Sequence, residues 1–378
     1  MKLMSGGFKI LSMSFIVLYI LSLFLYPFLS YIVVIFRKRF STQFSNFQEY
    51  FRPGLENQDL PELDILIPAH NEEKDLGITL LNIQNSLAPF GLKTRIIVGV
   101  DLCSDKTELV AQKMGVESVS LSFGSKWRTL RSLVNLGQSE WVALVDVGIE
   151  WNALLISEFL KNTHRSELFF IAPSYVHESS SYLNKLNWKL ERYLKVIENK
   201  SGGPISVHGA TVFYRREYLI SVLDFLKGKD WLNDDVIIPL TMRALFPQLE
   251  GLYLPSVGVK DFSHRPVSAH RRFRILMGNL EILEFVETRR LNLVFELRLL
   301  WGRRRARVFW AYFFSAIVFH ICLWLPLSFW GQIAFFVFGI LALSSKKAFR
   351  VSLAAPFYLL KFLWCRWRNV STPTVKWR

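Results

Sequence analysis

Residues 10 to 36 contain no charged side chain. That run exceeds the roughly 20 apolar residues a helix needs to cross a bilayer. Lys9 precedes it, and Arg37, Lys38 and Arg39 follow. A cleaved leader has a shorter apolar core and ends in a small-residue site, which this run lacks, so a retained transmembrane helix is expected. A second uncharged run extends from Val308 to Ser345, broken only by His320. As one helix it would be far longer than a bilayer core, about 57 Å at 1.5 Å per residue. Pro326, Ser328 and Gly331 lie near its middle, so two short spans with a turn at Leu325–Gly331 fit better. Arginines at 303, 304, 305 and 307 precede it, and Lys346, Lys347 and Arg350 follow. Basic flanks on both sides place both ends in the cytoplasm. The tail 346–378 mixes Phe, Leu and Trp with basic residues and suits a helix lying in the interface.

Between these anchors the sequence is ordinary globular protein. Asp64–Pro68, Arg95–Val100, Val116–Val119 and Trp141–Val145 are short apolar runs that predict strands. Glu72–Asn85, Asp105–Met114 and Trp127–Leu136 have helical spacing. The alternation implies a mainly parallel α/β sheet. Ligands of such sheets bind beyond the carboxyl ends of the strands. Polar residues gather there: Ala69-His70-Asn71-Glu72-Glu73, Asp101-Leu102-Cys103-Ser104-Asp105, and Asp146-Val147-Gly148. Ser104 or Asp105 alone would serve as a helix cap. Three such ends on one edge point to a shared site.

Several chemistries are excluded. Neither GxGxxG nor GxxxxGK[ST] occurs, so no Gly-rich loop cradles a phosphate. There is no Cys/His metal spacing and no GxSxG elbow. Three cysteines, far apart, make no disulfide scaffold. The formal charge of +15 invites a nucleic-acid reading. Its distribution does not support one. Up to His264 there are 27 basic and 27 acidic residues; from Arg265 onward there are 19 basic and 4 acidic. The excess lies beside the membrane runs, and no nucleic-acid module is recognisable.

The ordered segments resemble a family 2 glycosyltransferase with the GT-A fold. Asp64-Ile65-Leu66-Ile67-Pro68-Ala69-His70-Asn71-Glu72-Glu73 is similar to that family's opening strand and loop. Val98–Thr107, with Asp101, Ser104 and Asp105, resembles its second. Lys126 and the following helix resemble the "GK" segment, and Trp141–Asp146 the strand leading to the DxD motif. His208-Gly209-Ala210 through Arg215-Arg216 resembles the "G....fRr" segment, Asn233-Asp234-Asp235 the "ED" motif, and Arg271–Asn279 the QxxRW region.

The resemblance implies a GT-A catalytic domain over 63–265, Rossmann-like with helices on both faces. It follows an anchor and linker, 1–62, and precedes an Arg-rich interfacial segment, 266–307, the hairpin 308–345 and the tail. It implies an inverting transferase that takes a sugar from a nucleotide-sugar donor. Pro68, His70, Asn71, Glu72, Asp101, Lys126 and Asp146 would bind the donor nucleotide, with Asp101 on the base and Asp146 near the ribose or diphosphate. Asp235, or Asp234 beside it, would be the general base that deprotonates the acceptor hydroxyl. His208, Gly209, Arg271 and Arg274 would face the diphosphate or acceptor, guanidinium groups being suited to phosphate oxygens. The bland alternative for Asp234 and Asp235 is an N-cap of a helix over Val236–Phe246.

Two departures bear on chemistry. The DxD position reads Asp146-Val147-Gly148, and glycine has no ligating side chain. Mg2+ or Mn2+ is still expected, with Asp146 as the candidate ligand. QxxRW keeps only its Arg, in Arg271-Arg272-Phe273-Arg274-Ile275. Addition of one sugar is therefore expected rather than processive synthesis. The acceptor would be lipid-linked or a saccharide, at the cytoplasmic face of a bacterial inner membrane, within polysaccharide or glycolipid synthesis. The alternative is a non-catalytic relative that scaffolds a polysaccharide-synthesis complex.

Overall fold

Leu63–Ala69 is a strand with every residue buried (β1). The computed structural model describes residues 60–176, 182–263, 269–288, 290–302, 304 and 330–331. The elements after β1 are α1 (Leu76–Leu87), a short 3-10 turn (Ala88–Phe90), β2 (Thr94–Asp101), α2 (Thr107–Lys113), β3 (Glu117–Leu121), α3 (Lys126–Leu136) and β4 (Trp141–Val145). Then come β5 (Ile149–Glu150), α4 (Ala153–Thr163), β6 (Leu168–Val176), α5 (Tyr182–Asn199), β7 (Thr211–Arg215), α6 (Arg216–Phe225), α7 (Asp234–Leu245), β8 (Glu250–Asp261) and α8 (Ala269–Glu287). The four strands and three helices expected before residue 146 all form, with ends shifted by a few residues.

The eight strands make one sheet in the order β3-β2-β1-β4-β7-β6-β8-β5. β3, β2, β1 and β4 are parallel. β7 then runs antiparallel to both β4 and β6. β6 and β8 are parallel, and β5 is antiparallel to β8. This arrangement has a direct consequence for the site. β1, β2, β4, β6 and β8 all end at the same edge, while β7 begins there, Thr211 standing opposite Val145. The segment that leads into β7, with His208 and Gly209, therefore reaches the edge where the first strands finish.

Two buried polar devices tie the elements together at the opposite edge, where the parallel strands begin. Asp64, almost fully buried, accepts from Gln138 N (2.6 Å), Ser139 N (3.1 Å) and the Ser139 hydroxyl (2.9 Å). It ties β1 to the turn before β4. Arg243 on α7 donates to the carbonyls of Ser201 and Gly203, fixing the loop that precedes His208. Beneath the sheet, Trp141, Trp151, Phe159 and Phe213 pack ring against ring, with centroids 4.4 to 5.5 Å apart. Each such buried aromatic contributes burial energy and a preferred edge or offset geometry.

The chain divides into two compact units, 37–266 with 376–378, and 1–36 with 267–375. The sheet belongs to the first. In the second, α8 is a helix of 19 residues that carries Arg271 and Arg274. Among the described residues no helix is long and apolar enough to cross a membrane. The expected span 10–36 and the tail 346–378 lie outside the described residues, as does all of 308–345 except 330–331.

Candidate active site

The loops after β1 and β2 clasp each other. Asn71 adopts a left-handed backbone, φ 55°. That turn aims its side-chain carbonyl at Ser104, accepting from Ser104 N (2.8 Å) and Ser104 Oγ (3.3 Å). Asparagine tolerates this conformation better than most residues. Thr107 Oγ1 accepts from Glu72 N (2.7 Å), while Glu73 and Asp105 exchange bonds with the backbone N–H of Lys106 and of Glu73. Burial pushes the Asp105 carboxyl up, but hydrogen bonds from the Thr107 side chain and from the Glu73 and Thr107 amides outweigh this and hold it below its ordinary value. Asp105 is thus the cap-type residue of this loop, since it accepts from Thr107 N (3.0 Å) at the start of α2.

His70 sits over the same loop. Its Nδ1 lies 2.7 Å from the Asp101 carbonyl, which can only accept, so Nδ1 carries the hydrogen. Nε2 is then the acceptor for the Asn71 amide, 3.4 Å away. Pro68 lies within β1 and pairs in register with Gly99 of β2.

Asp101 is held by its own loop. Its side chain is fully buried and accepts from Phe123 N (2.7 Å), Gly124 N (2.9 Å) and Ser125 N (2.9 Å). It positions the loop before α3. That loop supplies Ser125, the N-cap, whose hydroxyl accepts from Arg128 N.

The first residue of α3 is Lys126, and here three elements meet. Its ammonium lies 2.8 Å from Asp146 Oδ1, just past β4, and 3.2 Å from Asp234 Oδ2, at the start of α7. The α3 and α7 N-termini add partial positive charge, because their first amides have no partner within the helix. Asp234 and Asp235 both lie in the first turn of α7. The cap position is Asn233, whose side chain makes no capping bond, so the cap reading of the two aspartates is not supported. Asp235 is held from the other side. Its carbonyl accepts from Val207 N (2.9 Å), and Gly209 lies against it: a Cβ on Gly209 would stand 3.4 Å from the Asp235 Cβ. Burial pushes the Tyr214 hydroxyl, on neighbouring β7, well above its ordinary value, and the charges of Asp234 and Asp235 add to the effect.

The donor set does not suit a divalent cation by itself. Among the described residues no three His, Cys, Asp or Glu side chains converge as a metal site. Asp146 is paired with Lys126. Gly148 has φ 95°, and a Cβ there would come within 2.8 Å of the Ser263 Cβ, so the backbone is built for the missing side chain.

Lys126, Asp146, Asp234, Asp235 and Gly209 thus come together, and His70, Asn71 and Glu72 build the adjoining loop clasp. Arg271 and Arg274 lie on α8, in the other unit. Sequence reasoning missed Tyr175 and Trp188, which flank His208. Their ring contacts join strand, helix and loop, and neither residue lies in a recognisable motif.

No family profile matches the chain, and no curated relative does. Solved structures do. A mannosyltransferase from Pyrobaculum calidifontis, determined with GDP-Man and Mn2+, superposes with a TM-score of 0.64 at 16% identity, covering 95% of this chain and 99% of that one. Glucosyl-3-phosphoglycerate synthase from Mycobacterium tuberculosis, with Mn2+ and UDP-Glc, gives 0.41 at 15% identity, over 58% and 78%. The first likeness shows the fold: a mixed α/β fold of the GT-A glycosyltransferase type.

Proposed function

We propose that this protein transfers one sugar, with inversion, from a nucleotide-sugar donor to an acceptor hydroxyl. The observation that carries this is the junction at Lys126. Two carboxylates that the sequence marks separately, after β4 and on α7, share the Lys126 ammonium of α3 at the carboxyl edge of the sheet. A GT-A-type fold supplies the setting.

The chemistry follows from the placement. The donor nucleotide would lie along the clasp of His70, Asn71 and Glu72, with its diphosphate toward Lys126 and the two helix N-termini. Fixed positive groups stabilise the charge that develops as the diphosphate leaves. Asp235, beside Asp234 in the first turn of α7 and against Gly209, is the base in this reading. The acceptor oxygen attacks the anomeric carbon, its proton passes to Asp235, and the sugar–phosphate bond breaks with its electron pair on the diphosphate. The balanced catalytic domain and the basic, apolar ends of the chain favour work at the cytoplasmic face of a membrane, with a lipid-linked or saccharide acceptor.

A thermal-shift screen against sugar nucleotides, with and without Mn2+, tests the donor reading, since a bound ligand raises apparent stability. A stabilising donor that is also consumed supports the transferase. Stabilisation by none, together with capture of partner proteins, supports the scaffold.

A further inference from the structure

The rings around His208 are arranged unlike those of the core. His208 lies flat on Tyr175, with centroids 3.8 Å apart and planes 3° from parallel. Trp188 tilts against both, at 5.2 Å from His208 and 5.5 Å from Tyr175. The rings come from the end of β6, from α5 and from the segment before β7. Trp141, Trp151, Phe159 and Phe213 are fully enclosed, whereas Tyr175, Trp188 and His208 are partly buried, each keeping some exposed surface.

Their location gives the exposure a use. His208 precedes Gly209, which lies against Asp235, and Val207 on its other side bonds the Asp235 backbone. His208 therefore lies in the chain between two residues, Val207 and Gly209, that both stand against Asp235. It is also fixed in place. The Tyr175 hydroxyl donates to Asp261 Oδ2 (3.1 Å), and Asp261 Oδ1 accepts from Ser263 N (2.8 Å).

We propose that Tyr175, Trp188 and His208 form the platform on which the acceptor's own sugar ring lies, so that the acceptor is a pyranose-bearing molecule and not a bare lipid phosphate. This rests on the transferase reading of the site. One face of a pyranose is made of C–H bonds and packs on an aromatic surface, while its hydroxyls point to the rim where polar groups can meet them. A ring seated there carries a hydroxyl toward Asp235. A lipid phosphate has no such C–H face to lie on the stacked rings.

The test compares wild type, Trp188→Ala and Trp188→Phe with a panel of glycosides, glycolipids and polyprenyl phosphates. We expect Trp188→Ala to raise the acceptor KM about tenfold or more, a loss of about 1.4 kcal/mol, well beyond any change in the donor KM, with Trp188→Phe recovering most of it. Transfer to polyprenyl phosphate as efficient as to sugar-bearing acceptors would overturn the proposal, as would equal changes in the two KM values. Binding of methyl glycosides without donor, read as the fluorescence difference between wild type and Trp188→Phe, separates the two levels of failure. A glycoside response without donor turnover supports the platform and sinks the transferase reading. Donor turnover without a glycoside response overturns the platform alone.

Discussion

Lys126 stands 2.8 Å from Asp146, and the same ammonium reaches Asp234 at 3.2 Å. The three residues are far apart in the chain and enter from different elements. The ammonium at the centre of the site is therefore held by the fold, between two carboxylates.

Removing that charge tests the junction. Lys126→Met should lower kcat/KM by about 100-fold, a loss of roughly 2.7 kcal/mol of transition-state stabilisation. Lys126→Arg should keep part of it, since charge and hydrogen-bond donors remain. Steady-state kinetics with a consumed donor decides; a Met variant as active as wild type removes Lys126 from the mechanism.

Asp101→Ala should act through structure. It strands the amides of Phe123, Gly124 and Ser125. A buried unsatisfied donor costs about 1–3 kcal/mol. We expect a lower Tm, and weaker donor binding because the freed loop carries Lys126. Unchanged stability in chemical denaturation would show that the carboxylate is not the loop's anchor.

Gly148→Asp restores the acidic residue that a DxD motif would have, yet it should not create a metal site. The new Cβ would meet the Ser263 Cβ at 2.8 Å in a left-handed backbone with φ 95°. Strain of this kind costs of order 1–3 kcal/mol. The expected readout is a reduced Tm that Mn2+ does not restore. A variant as stable as wild type that gains Mn2+ binding contradicts the packing argument.

Burial raises the Tyr253 hydroxyl to about 12, with smaller opposing effects of Arg192 and Glu191. Its folded value lies above its unfolded one, so the stability it contributes is complete below about 10 and is lost as pH rises from there through about 12. Wild type should lose stability over that window more steeply than Tyr253→Phe. Denaturation at pH 9 and pH 11 measures it; parallel losses in the two proteins would show that Tyr253 is not the titrating group.

Much of this was legible before any coordinates. Asp64–Pro68, Arg95–Val100 and Trp141–Val145 announce themselves as largely apolar runs because both faces of a parallel strand are buried. The polar residues at their ends mark the site because strand ends are where such sheets bind ligands. What each polar residue does there was less visible. Asp101 and Asp146 look alike in sequence, but one is sealed beneath its own loop and the other faces Lys126. The direction of β7, which brings His208 to the edge, depends on pairing between strands remote in the chain. Trp188 carries no motif, and its contact with His208 and Tyr175 appears only in the folded chain.

The central claim is that Asp235 takes the acceptor proton while the Lys126 junction holds the donor. Release of nucleoside diphosphate from a binding sugar nucleotide, in the presence of acceptor, tests it most directly in wild type and Asp235→Asn. The account predicts turnover by wild type and a loss of about 100-fold or more in the variant, in line with the usual worth of general-base catalysis, with donor affinity retained. Equal turnover by the two proteins, or loss of donor binding as the cause of inactivity, would contradict it.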